Sequence, residues 1–426
     1  TISNHFKNRL PSSIRQAQMK FLERNDKDQI NVINLAIGNV KLPMYPSMIK
    51  RLKEIGEGEH FSNGIIPYTS TAGTKDARKA FLNVLSALDV DISKLLVNIT
   101  DGGSASMEIM MLGVSGPSSK RPIMLLDPSY TNYIQFAHRL QIPIITSKRK
   151  INNDGSFEKL NFKKISSMVK KYNPSAFVII PYDNPTGQFI NQTTLDRIAQ
   201  LCVQNGMWLV SDEAYRPLVY GNKSASSIWK ISLKNVPDIY SYRISIESAS
   251  KVWNGCGLRI GGIITDNQEF HKKAISEYTA NLCANTLGQS IFGTLAYENH
   301  SDINNWFVKQ KKYYENLFNI LKESLNNELP GLIVSNPEAS IYCILDFKNI
   351  CKENFKTDAF INYCATKGSA MIGEKYYTVL LAPMNGFYNE NDFANTQLRL
   401  SLVETPDLLK ITPKILGILF NEYQSM

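Results

Sequence analysis

At 426 residues the chain exceeds what one hydrophobic core usually supports, so two domains or one large α/β unit are expected. With 43% hydrophobic and 20% charged residues it has a globular composition, not a disordered one, and no apolar run approaches the ~20 residues of a membrane helix. The formal net charge of +9 is spread over segments such as KRLKE, KKISSMVKK and KQKKYYENL, which favours solvated helix faces and anionic small molecules over a nucleic-acid partner.

The chain opens on TISNHFKNRLPSS, which lacks the apolar core of a secretory signal. From residue 94 onward short apolar runs alternate with amphipathic stretches. KLLVNIT, RPIMLLD, IPIITS, AFVIIP, MWLVSDE, DIYSYRISI and LRIGGIITD read as strands. SASMEIMMLGV, YTNYIQFAHRL, LNFKKISSMVKKY and TTLDRIAQLCVQNG repeat apolar residues at three and four positions and read as helices. This alternation predicts a mainly parallel sheet covered on both faces, with ligands at the carboxyl ends of its strands. Residues 301–329 read as one long helix. Strand-like GLIVSN and SIYCILDF, helix-like DAFINYCATKG, strand-like QLRLSLVE and a terminal helix then suggest a second, α+β domain.

Several strands end in residues that a merely structural sheet does not need. KLLVNITDGGSAS passes into Gly102, Gly103 and Ser104, and RPIMLLDPSYTNY into Asp127, Pro128 and Tyr130. AFVIIPYDNPTG ends in Asn184, and MWLVSDEAY in Asp212 and Glu213 with Tyr215 close behind. Each alone has an ordinary reading: a helix cap, a turn, a core tyrosine. Together they fall on one edge of one sheet. Glycines opening a helix offer N–H groups to a phosphate, with Arg259 and Ser248 as further donors. A buried carboxylate suits a protonated aromatic nitrogen, and an aromatic ring stacks on the ligand. Lys251, in SIESASKVWNGCGLRIGG, supplies a nucleophilic amine for a carbonyl. A planar phosphorylated pyridine aldehyde meets every one of these requirements. Six cysteines without a C-x-x-C pair read as reduced thiols of a cytosolic protein, and five histidines without metal spacing argue against a metal enzyme.

The set resembles the fold-type I pyridoxal-phosphate enzymes, specifically the class I/II aminotransferases that include aspartate aminotransferase. NLAIGNVKLP and YTSTAGTKDAR are similar to the family's substrate loop and its Y-x-x-x-x-G-x-x-x-L-R, followed in family order by DGGSAS, DPSYTNY, NPTG, SDEAY, S-x-S-K with its arginine, and QLRLSL. The resemblance implies a seven-stranded large domain (46–305), with 1–45 and 306–426 forming the small one. It implies that Lys251 forms the internal aldimine and shuttles the proton, that Asp212 pairs with the pyridine nitrogen, and that Tyr215 and Asn184 hold the ring oxygen. Tyr130 would stack on the ring. Gly103, Ser104, Ala105, Ser248 and Arg259 would hold the phosphate, with Tyr68 reaching in from a second subunit of a homodimer. Arg399 would grip the substrate α-carboxylate, aided by the Gly38 backbone. The small residues around Lys251 then have a purpose, since they let the backbone approach the cofactor.

Some positions depart from the family pattern. Ala77 replaces a leucine, SAMIGEKYY has Ile-Gly in place of Pro-Gly, and no arginine or lysine in a recognisable context marks a site for a distal carboxylate. The leading expectation is a cytoplasmic aminotransferase that moves an amino group between an L-amino acid and a 2-oxo acid in a ping-pong cycle. Alternatives are a lyase of the same fold, of the β-lyase or aminocyclopropane-carboxylate-synthase type, and a non-catalytic sensor module. For the sensor, the substrate loop at Asn34 leaves no room for a helix-turn-helix arm ahead of it.

Overall fold

A computed structural model of the chain describes residues 1–7, 9, 13–58, 60–61, 63–389 and 394–426. Its first strand, β1 (Ile30–Asn34), belongs to a small sheet considered below. The large sheet is built from β2 (Leu96–Asp101), β3 (Ile123–Asp127), β4 (Ile144–Lys148), β5 (Ala176–Ile179), β6 (Trp208–Asp212), β7 (Arg243–Ser248) and β8 (Ile260–Thr265). They lie in the order β2-β8-β7-β6-β5-β3-β4. Only β8 runs antiparallel to its neighbours. All seven strands coincide with the runs expected from sequence, with β2, β4 and β7 extending one or two residues beyond them. In DIYSYRISI the strand starts only at Arg243, because Asp238 and Ser241 take left-handed φ of 65° and 67°, which breaks an extended run.

The central strands are buried along nearly their whole length, as a sheet covered on both faces requires. Every residue of β3, β5 and β8 is buried. Covering helices carry their own stop and start signals. The helix Phe162–Tyr172 is capped by the Asn161 side chain on the Lys164 N–H and ends at Asn173 in the left-handed conformation. The helix Gly102–Val114 is apolar on nearly every side because it is wedged against β8 and β7, with Met107, Met110 and Met111 buried.

The long helix spans His300–Glu328, capped by Asn299. Beyond it come β9 (Ile333–Val334), β10 (Tyr342–Asp346), β11 (Ala370–Ile372), β12 (Lys375–Leu380), β13 (Ala382–Pro383) and β14 (Gln397–Ser401), then the helix Pro406–Ser425. Strands β13-β14-β10-β9 form an antiparallel sheet, and β1-β12-β11 a mixed one. The pairing of β1 with β12 is parallel and joins residues 30–34 to 376–380. Sequence reading does not find this sheet. Only two of the five β1 residues are buried, and its partner lies at the other end of the chain. No helix among the described residues is long and apolar enough to cross a membrane.

Candidate active site

A cavity of about 940 Å³ opens at the carboxyl ends of the parallel strands. Its inner wall carries Asp212, the last residue of β6, and Ser248, the last of β7. Asp212 is buried, accepts the Tyr133 hydroxyl at 2.9 Å and the Ala214 N–H at 3.2 Å, and has no ion-pair partner among the described residues. Burial pushes its carboxyl up to about 6 against the opposing pull of those two hydrogen bonds. Just behind it, Arg216 sits between two further buried carboxylates, at 2.8 Å from Glu247 and 3.5 Å from Glu213. Burial, together with the negative charges of Glu247 and Asp212, lifts Glu213 to about 7 even though Arg216 opposes it.

Beyond β7 the chain folds into a compact irregular segment. Ser250 N–H donates to Ser248 Oγ at 3.0 Å, Gly255 N–H to the Ala249 carbonyl at 3.0 Å, and Ala249 N–H to the Ile260 carbonyl at 3.0 Å. This places Lys251 on the cavity, where its Nζ donates to the Gly38 carbonyl. Arg259 closes the segment at φ 54°, with its guanidinium on the Cys256 carbonyl at 3.1 Å. The same guanidinium packs close to Gly102, which has φ +72°. The positive φ favours glycine, and a Cβ there would meet Arg259 Nη2 at 2.2 Å and displace the guanidinium. The helix that starts at Gly102 has no side-chain cap, leaving first-turn N–H groups facing the cavity at Gly103 and Ser104.

Arg399, on β14, is only 1% exposed. It donates to Asn184 Oδ1 at 3.0 Å and to the Ala36 carbonyl, while its Nε has no partner. Tyr215 is buried, and burial together with the Tyr342 hydroxyl, 2.8 Å away, holds its own hydroxyl well above the ordinary tyrosine range. Of the residues expected from sequence, Lys251, Asp212, Tyr215, Gly103, Ser104, Tyr130, Asn184, Ser248, Arg259, Gly38 and Arg399 all border this one cavity. Two do not. Ala105 packs against the apolar cluster that contains Met110 and Ile246, and Tyr68 stands on the surface, 77% exposed.

Sequence reading misses Tyr133, Tyr342, Arg15 and Lys41. Tyr133 follows Tyr130 by about one helical turn, a spacing that does hint at a shared face. Tyr342 sits in a run that reads as core strand. Arg15 and Lys41 line the cavity's outer wall; Lys41 pairs with buried Glu404, whereas Arg15 has no ion-pair partner among the described residues. Also among the described residues, no group of three or more His, Cys, Asp or Glu is placed to hold a metal, and the six cysteines are unpaired.

The sequence model of the family Aminotransferase class I and II matches residues 30–410. The chain belongs to that family. It is a pyridoxal-phosphate-dependent aminotransferase of fold-type I. It is similar to the aspartate aminotransferase of Sulfurisphaera tokodaii, 24% identical over 74% of this chain and 73% of the relative. It is also similar to the cystathionine beta-lyase PatB of Bacillus subtilis, 24% identical over 68% and 72%. Among solved structures, YbdL of Escherichia coli, described with a methionine aminotransferase function, superposes with a TM-score of 0.79 at 13% identity, covering 98% of this chain and 99% of that one. That likeness speaks for the fold.

Proposed function

We propose that this aminotransferase exchanges an amino group between an L-amino acid and a 2-oxo acid in a ping-pong cycle, with Lys251 as the group that bonds the cofactor and moves the proton. The observation that carries the reading is the convergence of the Lys251 amine, the buried Asp212 carboxylate and the Arg399 guanidinium on one cavity. The residues fit pyridoxal phosphate. Asp212 is a buried carboxylate without a cation, and a protonated ring nitrogen would supply one. The uncapped helix start at Gly103 and Ser104, with Ser248 and Arg259, forms a cradle for a phosphate dianion.

When bound, the cofactor supplies a carbonyl that condenses with amines and a ring that takes up the charge left on the substrate Cα. The protein's part is to bind, orient and move protons. Arg399, whose guanidinium borders the cavity, would take the substrate α-carboxylate. Asn184 and Tyr215 would donate to the ring oxygen, and Tyr130 would stack on the ring. The Lys251 amine would hold the cofactor's carbonyl and, once free, would move the proton at the substrate Cα. Holding the carboxylate at Arg399 fixes which Cα bond faces that amine.

The proposal extends to a homodimer in the cytoplasm, with a large domain at 46–305 and a small one from 1–45 and 306–426. Ile65, Ile66 and Tyr68 are exposed at 67%, 53% and 77%, an apolar surface suited to a second copy whose site Tyr68 would complete. The decisive experiment mixes purified holoenzyme with single amino acids and follows the visible absorption of the cofactor. Conversion to the amine form, with release of the matching 2-oxo acid, is expected. Release of ammonia and pyruvate without that conversion would instead make the protein a lyase.

A further inference from the structure

We propose that Tyr342 is a positioning residue that couples the two ends of the reacting centre. Its hydroxyl fixes the direction of the Tyr215 proton, and its ring face fixes the Arg399 guanidinium. This rests on the roles proposed above for Tyr215 and Arg399.

Tyr342 opens β10, is 2% exposed and borders the cavity. Its hydroxyl lies 2.8 Å from that of Tyr215, and the two rings meet edge-on at 5.6 Å and 77°. The Arg399 guanidinium carbon stands 4.3 Å above the Tyr342 ring centre. Strand register explains that contact. Ile344 is the direct partner of Arg399 and Tyr342 of Ser401, so Tyr342 and Arg399 are diagonal neighbours on one sheet. A third contact fixes the hydroxyl end: a Cβ at Gly38 would fall 2.3 Å from the Tyr342 oxygen. The glycine of the N-terminal loop makes room for this tyrosine as well as for a ligand.

Counting protons gives the direction. Each hydroxyl has one proton, and neither tyrosine has another hydrogen-bond partner among the described residues. If Tyr215 donates to the ring oxygen, its oxygen must accept from Tyr342. A hydroxyl that accepts is a stronger donor in turn, because hydrogen bonds in a chain polarise one another. Tyr342 thereby strengthens the bond that stabilises the ionised ring oxygen, without touching the cofactor. At its ring face it holds Arg399 by a desolvated cation–π contact, which keeps the guanidinium planar to an incoming carboxylate.

The two functions separate by substitution. Tyr342→Phe removes the hydroxyl and keeps the ring. The pH midpoint of the holoenzyme's visible absorption is expected to rise by about half a pH unit, and kcat to fall about threefold, with KM for the 2-oxo acid unchanged. Tyr342→Ala removes both, and KM should then rise about tenfold as well. Tyr215→Phe alone should raise the midpoint by more, and adding Tyr342→Phe to it should change nothing further. A wild-type midpoint in Tyr342→Phe, beside a displaced one in Tyr215→Phe, overturns this inference and leaves the proposed function standing. Additive shifts in the double variant overturn it too. No shift in Tyr215→Phe removes the role of Tyr215 and this inference with it. Melting of each variant checks that Tyr342→Phe is folded.

Discussion

The cavity has two walls made in different ways. The inner wall is the edge of the large sheet, where Asp212, Ser248 and the helix start at Gly102 follow directly from strands running into polar or glycine residues. The outer wall is assembled from the helix Ser13–Leu22, β1, β12 and β14, which lie at opposite ends of the chain and meet through the pairing of residues 30–34 with 376–380. The inner wall carries the polar and charged groups of the proposed chemistry, set among Met107, Ile180 and Ile246. The outer one mixes Ile14, Phe21, Leu22, Val32 and Leu380 with Arg15 and the Lys41–Glu404 pair. One wall does the chemistry and the other meets the substrate side chain, so substitutions in the two should fail differently.

The largest effect is expected at Lys251. Lys251→Ala should lose the visible absorption of the bonded cofactor and all measurable turnover, while melting at nearly the wild-type temperature. Turnover at a normal rate in that variant would remove the inner wall from the chemistry altogether. Arg399→Ala comes next. Removing a buried guanidinium that receives a carboxylate should lower kcat/KM about a hundredfold or more, chiefly through KM. The cofactor spectrum, an inner-wall property, should stay intact.

Asp212 gives a test with a sign. Its folded carboxyl titrates at about 6 against an ordinary 3.8, so without cofactor the folded state binds the proton more tightly than the unfolded chain. The contribution of this group to apoprotein stability is therefore fully present below pH ~4 and falls as the pH rises to about 6, a loss of up to about 3 kcal/mol. Asp212→Asn removes the charge. The variant apoprotein should melt higher than wild type above pH 6 and equally below pH ~4, yet hold pyridoxal phosphate more weakly. If the two apoproteins melt together at every pH, the carboxylate is not held at a cost that the cofactor relieves.

The same contrast decides what the sequence reveals. Residues at strand ends are legible because a strand has period two and must stop somewhere; a run such as MWLVSDEAY displays both the strand and what it delivers. The large sheet is legible for that reason, as are Lys251 and Arg259 by their distance from it. Tyr342 and β1 are not. SIYCILDF reads correctly as a strand, but its first tyrosine acquires meaning only from Tyr215, Gly38 and Arg399, none of them near it in sequence. Tyr68 is the converse. A motif marks it out, yet within one chain it touches nothing of the cavity, so its value depends on a second subunit.

The smallest effect tests the outer wall. Of the cavity's cations, Arg259, Arg399 and Lys251 have tasks in the proposed function, and Lys41 is paired with Glu404. Arg15 alone has neither a task nor an ion-pair partner among the described residues, and it shares its helix face with Gln18 and Leu22 at the spacing that puts all three on one side. It is exposed, so its pull on an anionic substrate side chain is screened by water and salt. Arg15→Gln should therefore lower kcat/KM for acidic amino acids only about three- to tenfold, leave apolar amino acids unchanged, and lose its effect at high salt. An equal loss for acidic and apolar substrates would mean that Arg15 shapes the wall and does not read charge.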